Sequence, residues 1–368
     1  MRLGTCIALE LAVAAGAIGG VWLGVGHALE LAGEYLTERE ASAATNPPAH
    51  MMFPSRVPAA SLRVEPPAAP KTVFEATDDA LLGPIAAAPV TRIKLNHGGT
   101  SLSLRVEFAN GSRASFKPEQ IHPQSDPRKE IAAYRIDRLL GIGHVPPAKA
   151  VKFTVAELVA AADPEVRTYT AGRIAEEGTV RRLQTGELEL RGEASWWIPE
   201  IRDAWIGKFR VDESEGVAQW TSYLQIGAEI PPRYKTMVEQ LATLAVFDVI
   251  VDNADRWSGS NTKCSPDQKI LYFMDNALSF SVFSWGHDNN LGPLRRIQKF
   301  PRGLIQRLRG LTLEMLDTTL DDTGQDAGMG PLLEPEQVAA ILARRDHVIE
   351  YVDRLIAQFG EDAVLSLP

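Results

Sequence analysis

The sequence predicts an α+β protein with a small strand-rich part followed by a larger, mostly helical part. Apolar and polar residues alternate between residues 91 and 117, a pattern that is typical of half-buried strands. Apolar residues recur at helical spacing from Tyr234 to Asp252, and residues 311–368 show the same spacing. These observations place strands early and helices late in the folded part of the chain.

Length and composition describe a globular protein. The chain has 368 residues, of which 45% are hydrophobic, enough for one large or two modest domains with their own cores. The formal net charge of -9 would repel phosphate backbones, so we expect no nucleic-acid partner. Cys6 and Cys264 are the only cysteines, and Cys6 lies in an apolar N-terminal run, so no disulfide framework is expected.

Residues 1–35 predict a membrane anchor. The run from Leu11 to Leu29 is apolar or glycine apart from His27, and about 20 such residues cross a bilayer as a helix. Arg2 ahead of this run and the glutamates after it favour a single-pass protein with its folded part outside the cytoplasm. A cleaved signal peptide and a buried helix are the alternatives. Residues 36–89, rich in alanine and proline, predict an extended linker.

The remaining patterns divide the chain into residues 90–160 as an N-terminal lobe, 161–219 as an insertion or interlobe segment, and 220–368 as a C-terminal lobe. The middle segment carries three tryptophans, Trp196, Trp197 and Trp205. They either fill a core between the lobes or belong to an insertion that docks a substrate. We favour the core, because large aromatic side chains are more often buried than used in recognition.

The early strands and the helix after them carry a lysine and a glutamate. Asn110-Gly111 suits a type I′ turn and would fix the face on which Lys117 emerges from the hairpin. Glu130 lies in the first turn of a predicted helix that Gly141 closes. A strand lysine paired with a helix glutamate binds nucleotide phosphates in phosphoryl transfer. Considered alone, however, both residues would be ordinary surface charges.

A glycine pair, Gly98-Gly99, lies between the first two predicted strands. Its backbone N–H groups are candidates for contacts with phosphate, although two glycines between strands are more often only a turn. The chain has no Gly-x-x-x-x-Gly-Lys-Ser/Thr motif, which disfavours a P-loop fold.

Two aspartates lie about twenty residues apart at the ends of apolar segments. Asp255 follows the helix that ends near Asp252, and Asp275 follows a short predicted strand over residues 270–274. One carboxylate can orient and deprotonate an attacking hydroxyl, while another binds Mg²⁺ or Mn²⁺ through oxygen. Each aspartate alone is also typical of a cap or a turn. It is therefore the occurrence of all four residues in this order, a lysine, a glutamate and two aspartates, that indicates a phosphoryl-transfer site.

The chain also contains an ordered set of motifs: Gly98-Gly99-Thr100, Phe116-Lys117-Pro118, Glu130-Ile131-Ala132-Ala133-Tyr134, Asp137-Arg138-Leu139-Leu140-Gly141, Val145-Pro146-Pro147, Val246-Phe247-Asp248, Asn253-Ala254-Asp255-Arg256 and Asp275-Asn276. In this order they resemble the secretory-pathway kinase family that includes the Golgi casein kinase, the glycan xylosylkinase and the four-jointed kinase. The resemblance extends from about Lys94 to Leu308.

The resemblance implies an atypical two-lobed protein-kinase-like fold, with a small β-rich N-lobe and a larger helical C-lobe. It implies ATP with Mn²⁺ or Mg²⁺ as cofactors and a single-pass anchor. It also implies that Lys117 contacts the nucleotide phosphates and that Glu130 lies near the metal and the lysine. Asp255 would be the catalytic aspartate and Asp275 a metal ligand.

The chain departs from the family pattern at three positions. Ala277 replaces the usual glycine after Asp-Asn, Trp257 replaces a common histidine, and Asp252 stands where glycine is common. Ala277 is expected to restrict the backbone at the metal site, because alanine avoids left-handed angles. Asn261 is either a second metal ligand or a turn residue.

The sequence therefore predicts a membrane-anchored atypical kinase that transfers the γ-phosphoryl group of ATP to a hydroxyl of a protein serine or threonine. A sugar or glycan kinase of the same fold is the first alternative, because both acceptors are simple hydroxyls. A nucleotide-binding pseudokinase is the second, suggested by Ala277 and Trp257. A binding module that uses the tryptophans and no nucleotide is the third.

Overall fold

The computed structural model describes residues 72–96, 101–257, 261–321 and 328–368. The predicted anchor, the first part of the predicted linker and the Gly98-Gly99 pair lie outside these residues. Within the described ranges, no helix has both the length and the apolar character needed to cross a membrane.

Six antiparallel strands form the main sheet: β1 (Val90–Leu95), β2 (Leu104–Phe108), β3 (Arg113–Pro118), β4 (Ala148–Thr154), β5 (Val180–Arg182) and β6 (Leu188–Trp196). Their order is β1-β2-β3-β6-β4, and β5 also pairs with β6. β6 comes from the segment that the sequence suggests as an insertion, yet it lies between β3 and β4. The part of that segment that forms β5 and β6 therefore belongs to the main sheet.

The predicted hairpin is present, but its turn differs from the prediction. β2 pairs with β3 so that Leu104 lies opposite Phe116, and both side chains are fully buried. The Gly111 N–H donates to the Phe108 carbonyl, so Ala109 and Asn110 are the central residues of the turn. Only Gly111 after them has a positive φ, of 82°, whereas a type I′ turn requires positive φ at both central residues. Asn110 acts through its side chain, because its Oδ1 accepts a hydrogen bond from the Ser112 N–H at 3.0 Å.

The N-terminal arm, residues 72–89, is folded onto the domain. It contains α1 (Asp78–Leu82), which begins after Thr77, whose side chain accepts a hydrogen bond from the Ala80 N–H. Ile85 is fully buried in the core of the sheet, and the ring of Phe74 stacks on Tyr272 with centroids 6.0 Å apart. The prediction of an extended linker is therefore wrong for this part of the chain, because its apolar side chains find buried positions.

Helix α2 (Pro127–Leu139) packs against β4 and β6. Its N-cap is Asp126, whose carboxylate accepts a hydrogen bond from the Arg128 N–H at 3.1 Å. Gly141, with a φ of 61°, follows the end of the helix as predicted. The bounds of this helix place Glu130 in its first turn, on a face that is buried against the sheet.

The N-terminal arm contacts α2 at the opposite end from Glu130. Asp78 accepts hydrogen bonds from Arg138 Nε at 2.8 Å and from Arg138 Nη2 at 3.0 Å. The hydroxyl of Tyr134 donates to the same carboxylate at 3.0 Å. This bidentate ion pair fixes the last turns of α2 to the arm.

The rest of the chain is mainly helical, with α3 (Val155–Ala161), α4 (Arg167–Glu177), α5 (Ser214–Tyr223), α6 (Lys235–Val251), α7 (Asp288–Leu294), α8 (Arg302–Gly310), α9 (Leu313–Leu320), α10 (Pro335–Phe359) and α11 (Glu361–Val364). Short strands are β7 (Arg202–Asp203), β8 (Trp205–Ile206), β9 (Phe209–Arg210), β10 (Lys263–Cys264) and β11 (Leu271–Tyr272). The predicted helix that ends before Asp252 is thus α6. It runs through the larger hydrophobic core and delivers its C-terminal loop to the edge of that core.

Trp196, Trp197 and Trp205, which the sequence predicts to fill a core together, do not share one core. Trp205 is 44% exposed, and Trp197 is half-buried beneath the guanidinium of Arg105, 5.5 Å from its ring. Trp196 is half-buried and packs edge-on against Phe74. Among the described tryptophans, the fully buried one is Trp220 on α5, whose Nε1–H donates to the Val211 carbonyl at 3.0 Å. The prediction that the group fills a core is therefore wrong for Trp205.

His144 makes the stability of the fold sensitive to acid. Its Nδ1 lies 2.6 Å from the Leu271 carbonyl oxygen, and its ring stacks on Phe273. Burial lowers the pKa of His144 to about 4. Between about pH 6.5 and pH 4, the imidazole is therefore protonated in the unfolded chain and neutral in the folded protein. We expect this group to reduce the free energy of unfolding by about 1–3 kcal/mol as the pH falls from about 6.5 to about 4.

Urea unfolding at pH 7.0, 5.5 and 4.5, compared between the wild type and His144→Gln, measures this effect. The difference between the two proteins should shrink toward acid pH, because only the wild type loses this stabilisation there. A difference that does not depend on pH would contradict the assignment.

Candidate active site

Three of the predicted site residues meet in the structure. Lys117 Nζ lies 2.5 Å from Glu130 Oε1 and 2.7 Å from Asp275 Oδ1. The lysine is on β3, the glutamate in the first turn of α2, and the aspartate just after β11. The side chains of Lys117 and Glu130 are 13% and 6% exposed, whereas that of Asp275 is 48% exposed. The cluster is therefore open to a ligand on the Asp275 side.

A close approach of two strands positions Lys117. Gly192 on β6 pairs with Pro118 on β3, and a Cβ atom at Gly192 would lie 2.2 Å from the Lys117 carbonyl oxygen. Only glycine fits at that contact. The next residue of β6, Glu193, lies directly opposite Lys117 in the register and is almost fully buried. Neither residue is predicted from the sequence, although a glycine inside a strand is a signal of close backbone approach.

Attraction between opposite charges dominates this cluster. Burial by itself would lower the pKa of Lys117, but Asp275 and Glu130 outweigh it and raise that pKa. Lys117 in turn holds the pKa of Asp275 below its usual range. Burial and the repulsion from Glu130 raise the pKa of Glu193, whose Oε2 accepts a hydrogen bond from Ser195 Oγ at 2.7 Å.

The backbone around Asp275 adopts a conformation that its neighbours hold in place. Asp275 itself has a φ of 62°, in the left-handed region. The Asn276 N–H donates to Glu130 Oε2 at 2.9 Å, and Asn253 Nδ2 donates to the Asp275 carbonyl at 2.9 Å. Ala277 has no positive φ. Ala277 therefore keeps an ordinary backbone angle, and the left-handed residue beside it is an aspartate, a type that tolerates these angles.

Asp255 lies in the loop after α6 and is connected to Asp275 through one side chain. Asn253 Oδ1 accepts a hydrogen bond from the Asp255 N–H at 3.2 Å, while its Nδ2 contacts the Asp275 carbonyl. Asn261 Nδ2 donates to Asp255 Oδ2 at 2.6 Å. The contact that Asn261 makes is thus with the predicted catalytic carboxylate, which it orients.

The two other departures from the family pattern are accommodated. Asp252 ends α6 in the left-handed conformation, with φ 53° and ψ 56°, where glycine would be unstrained. Its carboxylate accepts hydrogen bonds from the His287 N–H at 2.8 Å and from Asn290 Nδ2 at 3.0 Å. Trp257 packs on Trp220 with ring centroids 5.9 Å apart, so it belongs to the core.

The donor set fits a divalent cation with a nucleotide. Two carboxylates from separate elements, Glu130 and Asp275, converge on one cationic atom, and carboxylate oxygens are the ligands that Mg²⁺ and Mn²⁺ prefer. The described residues contain no group of three or more histidine, cysteine or acidic side chains arranged to hold a metal ion by themselves. Phosphate oxygens and water would therefore supply the remaining ligands, as is usual for these ions.

The comparison with known families agrees with this geometry. Residues 198–364 match the family described as Golgi casein kinase, C-terminal, Fam20. This part of the chain therefore resembles the C-terminal region of that family. The similarity that the sequence motifs indicated is thereby confirmed.

The individual relatives are distant. Human "Extracellular serine/threonine protein kinase FAM20C" is 24% identical over 325 residues, covering 78% of this chain and 56% of the relative. Human "Glycosaminoglycan xylosylkinase" is 22% identical over 325 residues, covering 78% and 77%. Mouse "Pseudokinase FAM20A" is 22% identical over 343 residues, covering 80% and 60%. The chain thus spans little more than half the length of FAM20C.

A solved kinase structure shares the fold. The crystal structure of the Golgi casein kinase with Mn/ADP bound superposes with a TM-score of 0.56 at 17% identity, covering 78% of each chain. The predicted α+β class and the kinase-like architecture are therefore confirmed for the described residues.

Proposed function

We propose that this protein is an ATP-dependent kinase that uses Mn²⁺ or Mg²⁺. The observation that carries the proposal is the convergence of Lys117, Glu130 and Asp275, with Asp255 linked to Asp275 through Asn253. Phosphoryl transfer requires this combination of a phosphate-binding cation, metal-binding carboxylates and a carboxylate for the nucleophile. The kinases named among the relatives support it.

Each residue has a role that its surroundings support. Lys117, held by two carboxylates, is positioned to bind nucleotide phosphates without a further loss of side-chain freedom. Glu130 and Asp275 would hold the cation, which when bound neutralises phosphate charge. Asp255, oriented by Asn261, would accept the proton of the attacking hydroxyl.

The proposed acceptor is a hydroxyl group of a protein serine or threonine. A glycan hydroxyl is the second candidate, because a glycosaminoglycan kinase is among the relatives. A pseudokinase is also among them, and a nucleotide-binding pseudokinase is the third candidate. Ala277 adopts an ordinary backbone conformation and Trp257 packs in the core. We further propose that the N-terminal segment anchors the protein and that the kinase lies outside the cytoplasm.

The test uses the full-length protein in detergent with γ-labelled ATP. Wild type, Asp275→Asn and the matched control Asp267→Asn, an exposed aspartate ahead of β11, are supplied with Mn²⁺ or Mg²⁺ and with casein or a xyloside acceptor. We expect metal-dependent transfer by the wild type and the control, and loss of at least about 100-fold in Asp275→Asn. Transfer to casein or to the xyloside distinguishes the two acceptor classes. Absence of transfer to either acceptor would overturn the proposal.

A further inference from the structure

Arg256, the residue after Asp255, is fully buried, and its guanidinium group makes hydrogen bonds to four other residues. Its Nε lies 3.2 Å from both carboxylate oxygens of Asp248 on α6. Its Nη1 donates to the carbonyls of Asn261, at 2.9 Å, and of Met274. Its Nη2 donates to Asn276 Oδ1 at 2.9 Å.

These contacts connect every segment that supplies a site residue in the helical part of the chain. Asn261 orients Asp255, while Met274 and Asn276 flank Asp275 on both sides. Asn276 continues the connection to α2, because its backbone N–H donates to Glu130. One guanidinium group thus spans the loop of the proposed catalytic aspartate and the loop of the proposed metal ligand.

Stability alone is a poor reason to bury this ion pair. Taking a guanidinium and a carboxylate out of water carries a desolvation penalty that the attraction often only balances, so apolar residues of similar volume would serve as well. Burial raises the pKa of Asp248 to about 6, against the opposing attraction of Arg256. A rigid, planar group with five donors does offer fixed geometry between backbone and side-chain acceptors.

We propose that Arg256 is a positioning residue that sets the separation between Asp255 and Asp275. The inference rests on the proposed function, since it concerns the geometry of that same site. Asp248 on α6 fixes the position of the guanidinium group. The hydrogen bonds from that group to Asn261, Met274 and Asn276 then fix the two loops relative to α6.

The fold provides a matched control. Arg344 on α10 is also fully buried, and it donates to the carbonyls of Ile250 at 3.1 Å, Ser281 at 3.1 Å and Phe283 at 2.9 Å. It therefore tests the general effect of altering a buried arginine, at carbonyls that are not adjacent in sequence to Asp255 or Asp275.

The experiment compares wild type, Arg256→Lys and Arg344→Lys as full-length proteins. Three quantities are measured at a temperature well below each unfolding midpoint: the affinity for ADP with Mn²⁺, kcat, and KM for ATP. We expect Arg256→Lys to weaken ADP–Mn²⁺ binding about 10-fold and to lower kcat about 10- to 100-fold, because misplacement by about 1 Å has effects of this size. Arg344→Lys should stay within about threefold of the wild type in ADP–Mn²⁺ affinity and in kcat, even where its free energy of unfolding falls as much as that of Arg256→Lys.

The outcomes separate this inference from the proposed function. Equal effects of the two substitutions, or no effect of Arg256→Lys, would overturn the positioning role. If the wild type binds ADP with Mn²⁺ but transfers no phosphate, the proposed function fails while the binding comparison still decides the role of Arg256. If Arg256→Lys does not fold, Asp248→Asn replaces it, with an expected weakening of about threefold to 10-fold.

Discussion

Replacing Asp255 with asparagine is expected to reduce kcat by at least about 100-fold while leaving ADP and Mn²⁺ affinity within about threefold of the wild type. The substitution keeps the shape of the side chain but removes its ability to accept a proton. The hydrogen bond that the Asp255 N–H donates to Asn253 Oδ1 uses only the backbone of Asp255 and is unaffected. Because the connection to Asp275 is preserved, the metal site should keep its geometry.

Steady-state kinetics and calorimetric titration with ADP and Mn²⁺ measure the two effects separately. Asp288→Asn, which changes an exposed aspartate at the start of α7, serves as the control and should behave like the wild type. A kcat within threefold of the wild type in Asp255→Asn would assign the proton-accepting role to another group.

Replacing Lys117 with methionine is expected to abolish transfer and to destabilise the protein in the absence of metal. The substitution removes the ammonium that contacts Glu130 and Asp275, beside the buried carboxyl group of Glu193. Carboxylates left buried without their partner lower stability, here by about 2–4 kcal/mol. Transfer should fall at least about 100-fold, because the phosphates lose their fixed cation.

The effect of added Mn²⁺ on stability distinguishes the loss of the lysine charge from the loss of packing around its side chain. A cation that binds the folded state raises the free energy of unfolding by mass action, and the gain should be larger in Lys117→Met, where the acidic groups lack a counter-charge. Urea unfolding with and without Mn²⁺ measures both gains. Lys149→Met, at a half-buried lysine on β4, is the control and should show the wild-type response. Equal responses in all three proteins would mean that the metal binds elsewhere.

Elements with a local signal could be predicted from the sequence. The hairpin, α2 and α6 all have clear periodicity, and Glu130 and Asp255 follow from the positions of helix ends. The family motifs then paired Lys117 with Glu130, a contact that the structure contains. The type I′ turn was wrong because Asn-Gly also suits turns in which only the glycine has a positive φ.

Features that depend on long-range pairing could not be predicted. β6 carries charged residues and reads as a polar stretch, yet it lies in the middle of the main sheet. The burial of Glu193 follows from its pairing with Lys117, 76 positions earlier in the chain, and nothing near either residue encodes that register. The four contacts of Arg256 are likewise formed by the tertiary structure, so the sequence shows only an arginine beside an aspartate.

The attachment of the N-terminal arm to α2 determines where this protein can be shortened. Composition suggests a cut near residue 90, where the proline-rich stretch ends and the first strand begins. Such a cut would remove Phe74 from its contact with Tyr272, Ile85 from the core, and the carboxylate that holds Arg138. A soluble fragment for crystallisation or kinetics should therefore begin ahead of Val73, so that the helix bearing Glu130 retains its support.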